Sequence, residues 1–238
     1  MITRRRILGS ACALAVGALR AQPPAGGIRY REYARCLPDY LADLAADAYA
    51  RRNARLASLT TPAAIRDYQA WARRTFQQLA GELPERTPLN LRTIGTLERD
   101  RYTVDKIVYE SRPGLFVTAN LYLPKNGTPP YPGVLFQLGH SAPGKSYGLY
   151  QRCCQGLVQL GYVVLAFDLI GQGERNFMKR TPTQEHTVPG RQMLLVGETA
   201  TGALLWDAIR SLDVLASHPK VDPRRPHRPA NRAAAPSR

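Results

Sequence analysis

The spacing of apolar residues predicts two helices in the first third of the chain. Residues 37–56 are rich in alanine, leucine and arginine and contain no glycine, which favours a helix. Thr61 and Pro62 then supply an N-cap followed by a proline at the first helical position. Gly81 is suited to end this second helix. Residues 82–100, which follow this helix, contain two prolines and a glycine. We interpret them as a connection.

Alternating apolar positions predict a β-hairpin after this connection. Residues 102–110 and 116–123 form two runs of strand-favouring residues that flank a Pro113-Gly114 turn. The second run places one set of apolar side chains on a single face: Val117, Ala119, Leu121 and Leu123.

A different pattern follows the hairpin and predicts an α/β fold. Residues 132–136 and 162–167 are short, continuously apolar runs, and the helical stripe between them ends at Gly161. A strand, a helix and a second strand, in which neither strand alternates apolar with polar residues, are typical of a parallel sheet that is covered on both faces. We place a long loop at residues 169–197 and another amphipathic helix at residues 205–216.

The first 21 residues predict a secretory signal. Three arginines at positions 4–6 precede an apolar stretch at residues 7–19, which is too short to span a bilayer comfortably. Paired arginines before Ile7-Leu8 resemble a twin-arginine export signal. We therefore expect an exported protein, periplasmic or extracellular.

The formal net charge of +15 changes this picture little, because much of it lies at the two ends. Four arginines fall in the first 21 residues and five in residues 224–238, with no acidic residue in either stretch. We interpret this as solvated termini on a mildly basic body. We expect no nucleic-acid partner and, once the signal is removed, no stable membrane insertion.

The cysteines predict no disulfide framework. Outside the signal there are three, Cys36, Cys153 and Cys154, which is an odd number with one adjacent pair. The adjacent pair falls on an apolar helix, where small buried side chains are the usual reason for cysteine. We assign no cofactor and no metal site from the sequence.

The run QLGHSAPGKSYG at residues 137–148 favours one candidate activity. It satisfies the spacing G-x-x-x-x-G-K-[ST] of a nucleotide-binding P-loop, with Gly139, Gly144, Lys145 and Ser146. The D-x-x-G at residues 168–171 imitates a second GTPase motif. Pro143 lacks an N–H in a loop that should point successive N–H groups at phosphates, and Gly148 sits where a phosphate-capping helix should already be established. Nucleotide binding remains an alternative.

The order of elements resembles the first half of the α/β-hydrolase fold. The hairpin is followed by a strand ending in GHS, a helix, a strand running GYVVLAFDLIGQGER and a helix ending HPKVDPRR. The resemblance is closest to the acetyl xylan esterase and dienelactone hydrolase branches and covers most of residues 30–225. It implies a serine hydrolase acting on a small acyl ester or an acetylated carbohydrate.

The sequence patterns and the resemblance together divide the chain into four parts. These are a signal peptide at 1–21, a helical N-terminal extension at 22–100, a partial α/β-hydrolase domain at 101–223, and a disordered basic tail at 224–238.

In this family the loop after the third strand supplies half of an oxyanion hole through backbone N–H groups. Here that loop is residues 139–144, and the resemblance makes His140 or Ser141 the donor. An alternative is that the His140 side chain only fixes the loop through hydrogen bonds. Asp168 and Glu174, in the family's D-x-x-G-x-G-E turn, are expected to hold the loop by hydrogen bonds.

The nucleophile that this family needs is not recognisable in the sequence. The one G-x-S-x-G pattern, GKSYG at residues 144–148, lies in the P-loop-like run and not after the strand that should follow the VDPRR segment, where the family has its elbow, and no triad acid or histidine matches. His186, His218 and His227 do not fit the triad. Ser141 is no substitute for the nucleophile, because none of these later histidines is placed to activate it. We expect a C-terminally truncated hydrolase that is inactive alone. A non-catalytic binding module on the same scaffold is the remaining alternative.

The C-terminal sequence suggests how the elbow was lost. In another reading frame, codons compatible with NRAAAP can encode Ser-Gly-Gly-Gly-Thr, which is similar to the family's elbow. A run rich in proline, arginine and alanine is what a GC-rich gene gives out of frame. We therefore interpret about the last dozen residues as a frameshift product.

Overall fold

The computed structural model describes residues 33–179, 181–222 and 224. The chain forms two compact units that divide between Ile65 and Arg66. Helix α1 (Tyr33–Ala57) lies in the first unit, and helix α2 (Pro62–Ala80) begins in the first and continues into the second. Both predicted helices are confirmed.

The boundaries of α2 follow from its sequence. The Thr61 hydroxyl accepts a hydrogen bond from the N–H of Ala64 (3.2 Å), which is the predicted N-cap. Gly81 follows the last turn with φ of +90°, a conformation that glycine adopts without a steric penalty. The predicted start and end of this helix are therefore both confirmed.

Five strands form one sheet in the second unit, in the order β1-β2-β3-β5-β4. They are β1 (Arg92–Glu98), β2 (Tyr102–Arg112), β3 (Leu115–Pro124), β4 (Gly133–Phe136) and β5 (Val163–Phe167). Strands β2 and β3 are the predicted hairpin, and β4 and β5 are the predicted parallel pair. The other two pairings, β1 with β2 and β3 with β5, are antiparallel. The α/β prediction is correct, with one parallel pair in a mostly antiparallel sheet.

Two elements lie where the sequence predicted irregular chain. Strand β1 falls in the predicted connection at 82–100; six of its seven residues are exposed, and its register shifts before Gly95, so no alternation was visible. Helix α4 (Pro182–Leu195) occupies much of the predicted loop at 169–197, and Pro189 inside it concealed the helical pattern. Both predictions were wrong for these residues.

Helices cover both faces of the sheet. Helix α3 (Gly148–Gln159) packs Cys154 and Val158 on one face, against residues that include Val164 and Ala166 of β5. Helix α5 (Ala200–Ser217) packs on the other face with the remaining β5 residues, in a cluster that includes Leu165, Phe167, Val214 and Leu215. All five residues of β5 are buried, as the continuously apolar run predicted.

After α5 the backbone returns to the side of β4. The N–H of Tyr131 donates to the carbonyl of Lys220 (2.7 Å), and the N–H of Asp222 donates to the carbonyl of Tyr131 (2.8 Å). Tyr131 and Val221 form a parallel bridge. The residues after α5 thus pair with Tyr131, two positions before β4 begins.

The predicted signal at 1–21 and the tail from residue 225 onward lie outside the described residues. No helix among the described residues is both long and apolar enough to cross a membrane.

Candidate functional site

Two segments meet where strands β4 and β5 end. The first is the glycine loop, residues 139–146 after β4, and the second is the aspartate turn, residues 168–175 directly after β5. The N–H of Gly173 in the turn donates to the carbonyl of Ala142 in the loop (3.1 Å). Because β4 and β5 are parallel neighbours, their carboxyl ends bring the two segments together, which is where α/β sheets usually bind ligands.

Asp168 is the centre of this contact. Its side chain is fully buried, and its Oδ1 accepts a hydrogen bond from the N–H of Lys145 (2.8 Å). Its Oδ2 accepts from the Thr118 hydroxyl (2.8 Å), the Glu174 N–H (3.3 Å) and the ammonium group of Lys145. A buried carboxylate is stable only when it is paired and hydrogen-bonded in this way. The prediction that Asp168 holds the loop by hydrogen bonds is confirmed.

Two glycines make room for this carboxylate. Gly144 and Gly173 both have φ of +56°, and a Cβ built on either one would overlap the carboxylate of Asp168. Glycine is therefore required at both positions for two reasons, the backbone conformation and the close approach.

Lys145, the lysine of the P-loop pattern, is not available to a phosphate. Its side chain is buried, and its ammonium group forms ion pairs with Asp168 and Glu174. Glu174 thus also helps to hold the loop, as predicted, although most of its side chain is exposed.

The backbone N–H groups of the pattern are occupied as well. Those of Gly144 and Ser146 donate within the loop, to the carbonyls of Ser141 (2.9 Å) and Pro143 (3.0 Å). Residues Gly144–Ser146 form a single 3₁₀ turn, and α3 begins only at Gly148. A P-loop instead points these N–H groups and the start of a helix at the nucleotide. The geometry does not favour the nucleotide-binding alternative.

Three consecutive amides at the start of the glycine loop differ in their hydrogen bonding. The N–H of Gly139 donates to the Tyr150 hydroxyl (3.1 Å), and the N–H of Ser141 donates to Oε1 of Gln172 (2.7 Å). The N–H of His140, between them, donates to no acceptor among the residues that the structure describes. Side chains on α3 and in the aspartate turn thus fix the peptide groups on either side of one free donor.

This difference distinguishes His140 from Ser141, the two candidate oxyanion donors of the sequence analysis. Both lie in the same loop, as expected. Ser141 is buried and its N–H is already engaged, whereas His140 is exposed and its N–H is free.

Gln172 is a site residue that the sequence analysis did not single out. Its side chain is fully buried, and its Nε2 has no hydrogen-bond partner among the described residues. A buried amide with one unpaired group is costly, so it is usually kept for a reason. The sequence signal was its place inside the GQGER turn, but its partner Ser141 is 31 positions away.

The His140 side chain also has a partner that the sequence did not reveal. Its Nε2 lies 3.0 Å from Nδ1 of His186, on α4, and Nε2 of His186 lies 2.6 Å from the carbonyl oxygen of Ile170. A carbonyl only accepts, so Nε2 of His186 carries a proton and donates it. In the neutral ring Nδ1 is then the acceptor, and His140 donates to it.

The aspartate turn is anchored to α5 on its other side. Nη1 of Arg175 donates to the carbonyl of Asp168 (3.0 Å) and to Oδ2 of the fully buried Asp207 (2.7 Å). Ser211 donates to the carbonyl of Asp207 (2.6 Å) and shares a hydrogen bond with the Tyr109 hydroxyl. Burial raises the pKa of Tyr109 above its ordinary value, so the phenol stays protonated. These contacts fix the turn against both the helix and the sheet.

Comparison with known proteins identifies relatives of this arrangement. No family model matches the chain. The chain is 30% identical over 172 residues to YtaP of Bacillus subtilis (strain 168), whose name assigns it provisionally to the hydrolases. That match covers 66% of this chain and 54% of the Bacillus protein.

Two solved structures are similar. One, from Bacteroides fragilis NCTC 9343, is provisionally named an acetyl xylan esterase; its TM-score is 0.57 at 20% identity, covering 69% of this chain and 46% of that one. The other is the acetyl xylan esterase of Paenibacillus sp. R4, with a TM-score of 0.44 at 17% identity, covering 64% and 54%. The Bacteroides structure shows the same fold. The chain spans about half the length of these relatives.

Proposed function

We propose that this chain, which has the fold of an α/β-hydrolase of the acetyl xylan esterase type, forms part of an ester hydrolase and supplies half of its oxyanion hole. One observation carries the proposal: the free N–H of His140 lies between two amides that side chains hold in place. A donor oriented before the reaction stabilises charge without reorganising during it.

The chemistry that we propose for this donor is electrostatic. When a nucleophile adds to an ester, the carbonyl oxygen gains negative charge, and the N–H of His140 donates a hydrogen bond to it. Loss of one such donor typically costs about 100- to 1,000-fold in kcat. Tyr150 and Gln172 are positioning residues in this scheme, because they bind the amides on either side.

We propose that the catalytic serine lies outside the printed sequence and that the chain alone hydrolyses no ester. This rests on the one G-x-S-x-G of the chain, GKSYG at residues 144–148, whose serine lies in a 3₁₀ turn without the strained backbone of a nucleophile elbow. The proposed substrate is a small acyl ester or an acetylated carbohydrate, a choice supported by the names of the similar structures.

The first test asks whether the chain holds a nucleophile of its own. Hydrolysis of p-nitrophenyl acetate by the full chain should not exceed that of the Ser141→Ala variant or of buffer. Turnover that disappears in Ser141→Ala or in Ser146→Ala, the variant of the serine in GKSYG, would show that the nucleophile is present and would overturn this part of the proposal.

The second test asks whether the half-site serves an esterase. Residues 33–222 would be joined to the part of the Bacillus relative that follows its matched segment, once that relative is shown to hydrolyse the ester used. The chimera should hydrolyse the same ester, and Gln172→Met should lower kcat more than it raises KM. Gln172→Glu, which keeps an acceptor for the Ser141 amide, should retain more activity. A chimera that unfolds cooperatively but has no activity would contradict the proposal.

We also propose export through the twin-arginine route, supported by the arginines at positions 4–6 and the short apolar stretch after them. Residues 1–32 fused to a reporter that folds in the cytoplasm should carry it out of the bacterial cell's cytoplasm. Replacement of Arg5 and Arg6 by lysine should block export. Undiminished export of the lysine variant would argue for the general secretory route instead.

A further inference from the structure

Two histidine rings from different elements face each other beside the glycine loop. His140 lies in the loop after β4 and is exposed, while His186 lies on α4 and is half-buried. Their ring centroids are 4.9 Å apart, and the two facing nitrogens, Nε2 of His140 and Nδ1 of His186, are separated by 3.0 Å.

His186 already has the arrangement of a metal-binding histidine. Its Nε2–H donates to the Ile170 carbonyl, which fixes the ring and leaves a lone pair on Nδ1. Histidines that bind metals nearly always donate the opposite ring N–H to a carbonyl or a carboxylate in this way. The second shell of one ligand is therefore preformed.

The separation of the two nitrogens selects among metals. With metal–nitrogen bonds of about 2.0–2.1 Å, nitrogens 3.0 Å apart subtend an angle of about 95° at the metal. This is near the right angle between neighbouring ligands in tetragonal Cu²⁺ sites and well below the tetrahedral angle that Zn²⁺ prefers. We propose that His140 and His186 chelate one divalent transition metal ion and bind Cu²⁺ more tightly than Ni²⁺ or Zn²⁺.

The proton balance of the site is simple. Nε2 of His140, which donates to His186 in the metal-free pair, must give up its proton to bind the metal. The exposed ring can carry that proton on Nδ1 instead, so binding to the neutral pair releases no net proton. Among the described residues no group of three or more His, Cys, Asp or Glu side chains is placed to hold a metal ion, so the proposed site has two protein ligands. The proposal needs only the two side chains and does not depend on esterase activity.

The test measures Cu²⁺ binding to the full chain by calorimetry. Cys36 and Cys153, the exposed thiols among the described residues, and Cys12 of the predicted signal are replaced by serine in every sample so that they neither bind nor reduce the metal. We expect His140→Ala and His186→Ala each to weaken Cu²⁺ binding by about tenfold or more. His218→Ala, which removes a histidine that binds the backbone N–H of Lys220, should leave the affinity unchanged.

Electron spin-echo measurements on the bound Cu²⁺ supply a second readout. They should detect two imidazoles in the parent chain and one in each single variant. Because His140 is exposed, its replacement should leave the circular dichroism spectrum and the melting curve unaltered, so His140→Ala decides the question even if His186→Ala unfolds. Unchanged Cu²⁺ affinity in folded His140→Ala, or Zn²⁺ binding as tight as Cu²⁺ binding, would overturn the proposal.

Discussion

At the scale of single residues, the space around Asp168 depends on glycine. We predict that Gly144→Ala lowers the free energy of unfolding by at least about 2 kcal/mol, because it combines an αL backbone with overlap against the carboxylate. Gly148→Ala is the matched control: no atom lies within 4 Å of its Cβ position, and it lies in the first turn of α3. Urea denaturation should show a change within about 0.5 kcal/mol for the control. Equal effects of the two variants would show that Asp168 does not fill this space.

The two ion pairs of Lys145 should differ in their contribution to stability. Lys145→Met leaves the buried Asp168 without its cation, and removal of one partner of a buried pair costs about 3–5 kcal/mol. Glu174→Gln removes a pair in which the carboxylate is mostly exposed, which is worth less than about 1 kcal/mol. Denaturant titrations of both variants measure the difference. A larger loss in Glu174→Gln would contradict the geometry of the site.

The adjacent cysteines should differ in reactivity. Burial raises the pKa of Cys154 to about 12, so almost none of it is thiolate at mildly alkaline pH, whereas Cys153 is exposed. Iodoacetamide should therefore modify Cys153 and spare Cys154 in the native chain, and tandem mass spectrometry would locate the label. Both should react in guanidinium. Rapid labelling of native Cys154 would show that α3 does not pack as described.

The sequence indicated candidate site residues that lie in recognisable motifs, and it did not reveal roles that are defined by partners far away in the chain. The family-like turn marked Asp168 and Glu174, and the glycine loop marked His140 and Ser141. The role of Lys145 could not be inferred, because its partner Asp168 is 23 positions away and the same GKS pattern also fits a phosphate site.

At the scale of elements, prediction succeeded wherever burial left a clear period. Strand β5 is buried along its whole length and was identified from its continuous apolar run. Strand β1 is mostly exposed, so backbone pairing with β2 forms it and side-chain patterning does not reveal it. Helix α4 contains Pro189, which is usually a sign that a helix ends. Hydrophobic patterns report burial, and these two elements depend on other interactions.

Thr199 joins two elements through one hydroxyl. It accepts a hydrogen bond from the N–H of Gly202 (2.9 Å), which caps α5, and donates to the carbonyl of Ala80 (2.6 Å) at the end of α2. We predict that Thr199→Ala destabilises the fold by about 1–2 kcal/mol, because it removes the cap and leaves the carbonyl unpaired. Thr199→Ser keeps the hydroxyl and should restore most of the loss in thermal unfolding. Equal destabilisation by serine would mean that the methyl group matters and the hydroxyl does not.

At the scale of the whole molecule, the sheet has two edge strands, β1 and β4, and the added strands of a longer chain would extend it at β4. Among the described residues, β4 pairs with β5 on one side only, and the bridge between Tyr131 and Val221 lies just before it. All four residues of β4 are only half-buried. An unprotected edge of this kind can pair with the edge of another chain.

We therefore predict that the chain associates with itself at micromolar concentrations, a range in which exposed strand edges promote aggregation. Sedimentation velocity over a dilution series should show dimers or larger species that dissociate on dilution. The apolar stretch at residues 7–19 could cause association by a different route, so a chain lacking residues 1–32 is the necessary control. If β4 is responsible, association persists in the shortened chain and is lost in the chimera, where the added strands cover the edge. If association disappears with residues 1–32, the open edge of β4 is not its cause.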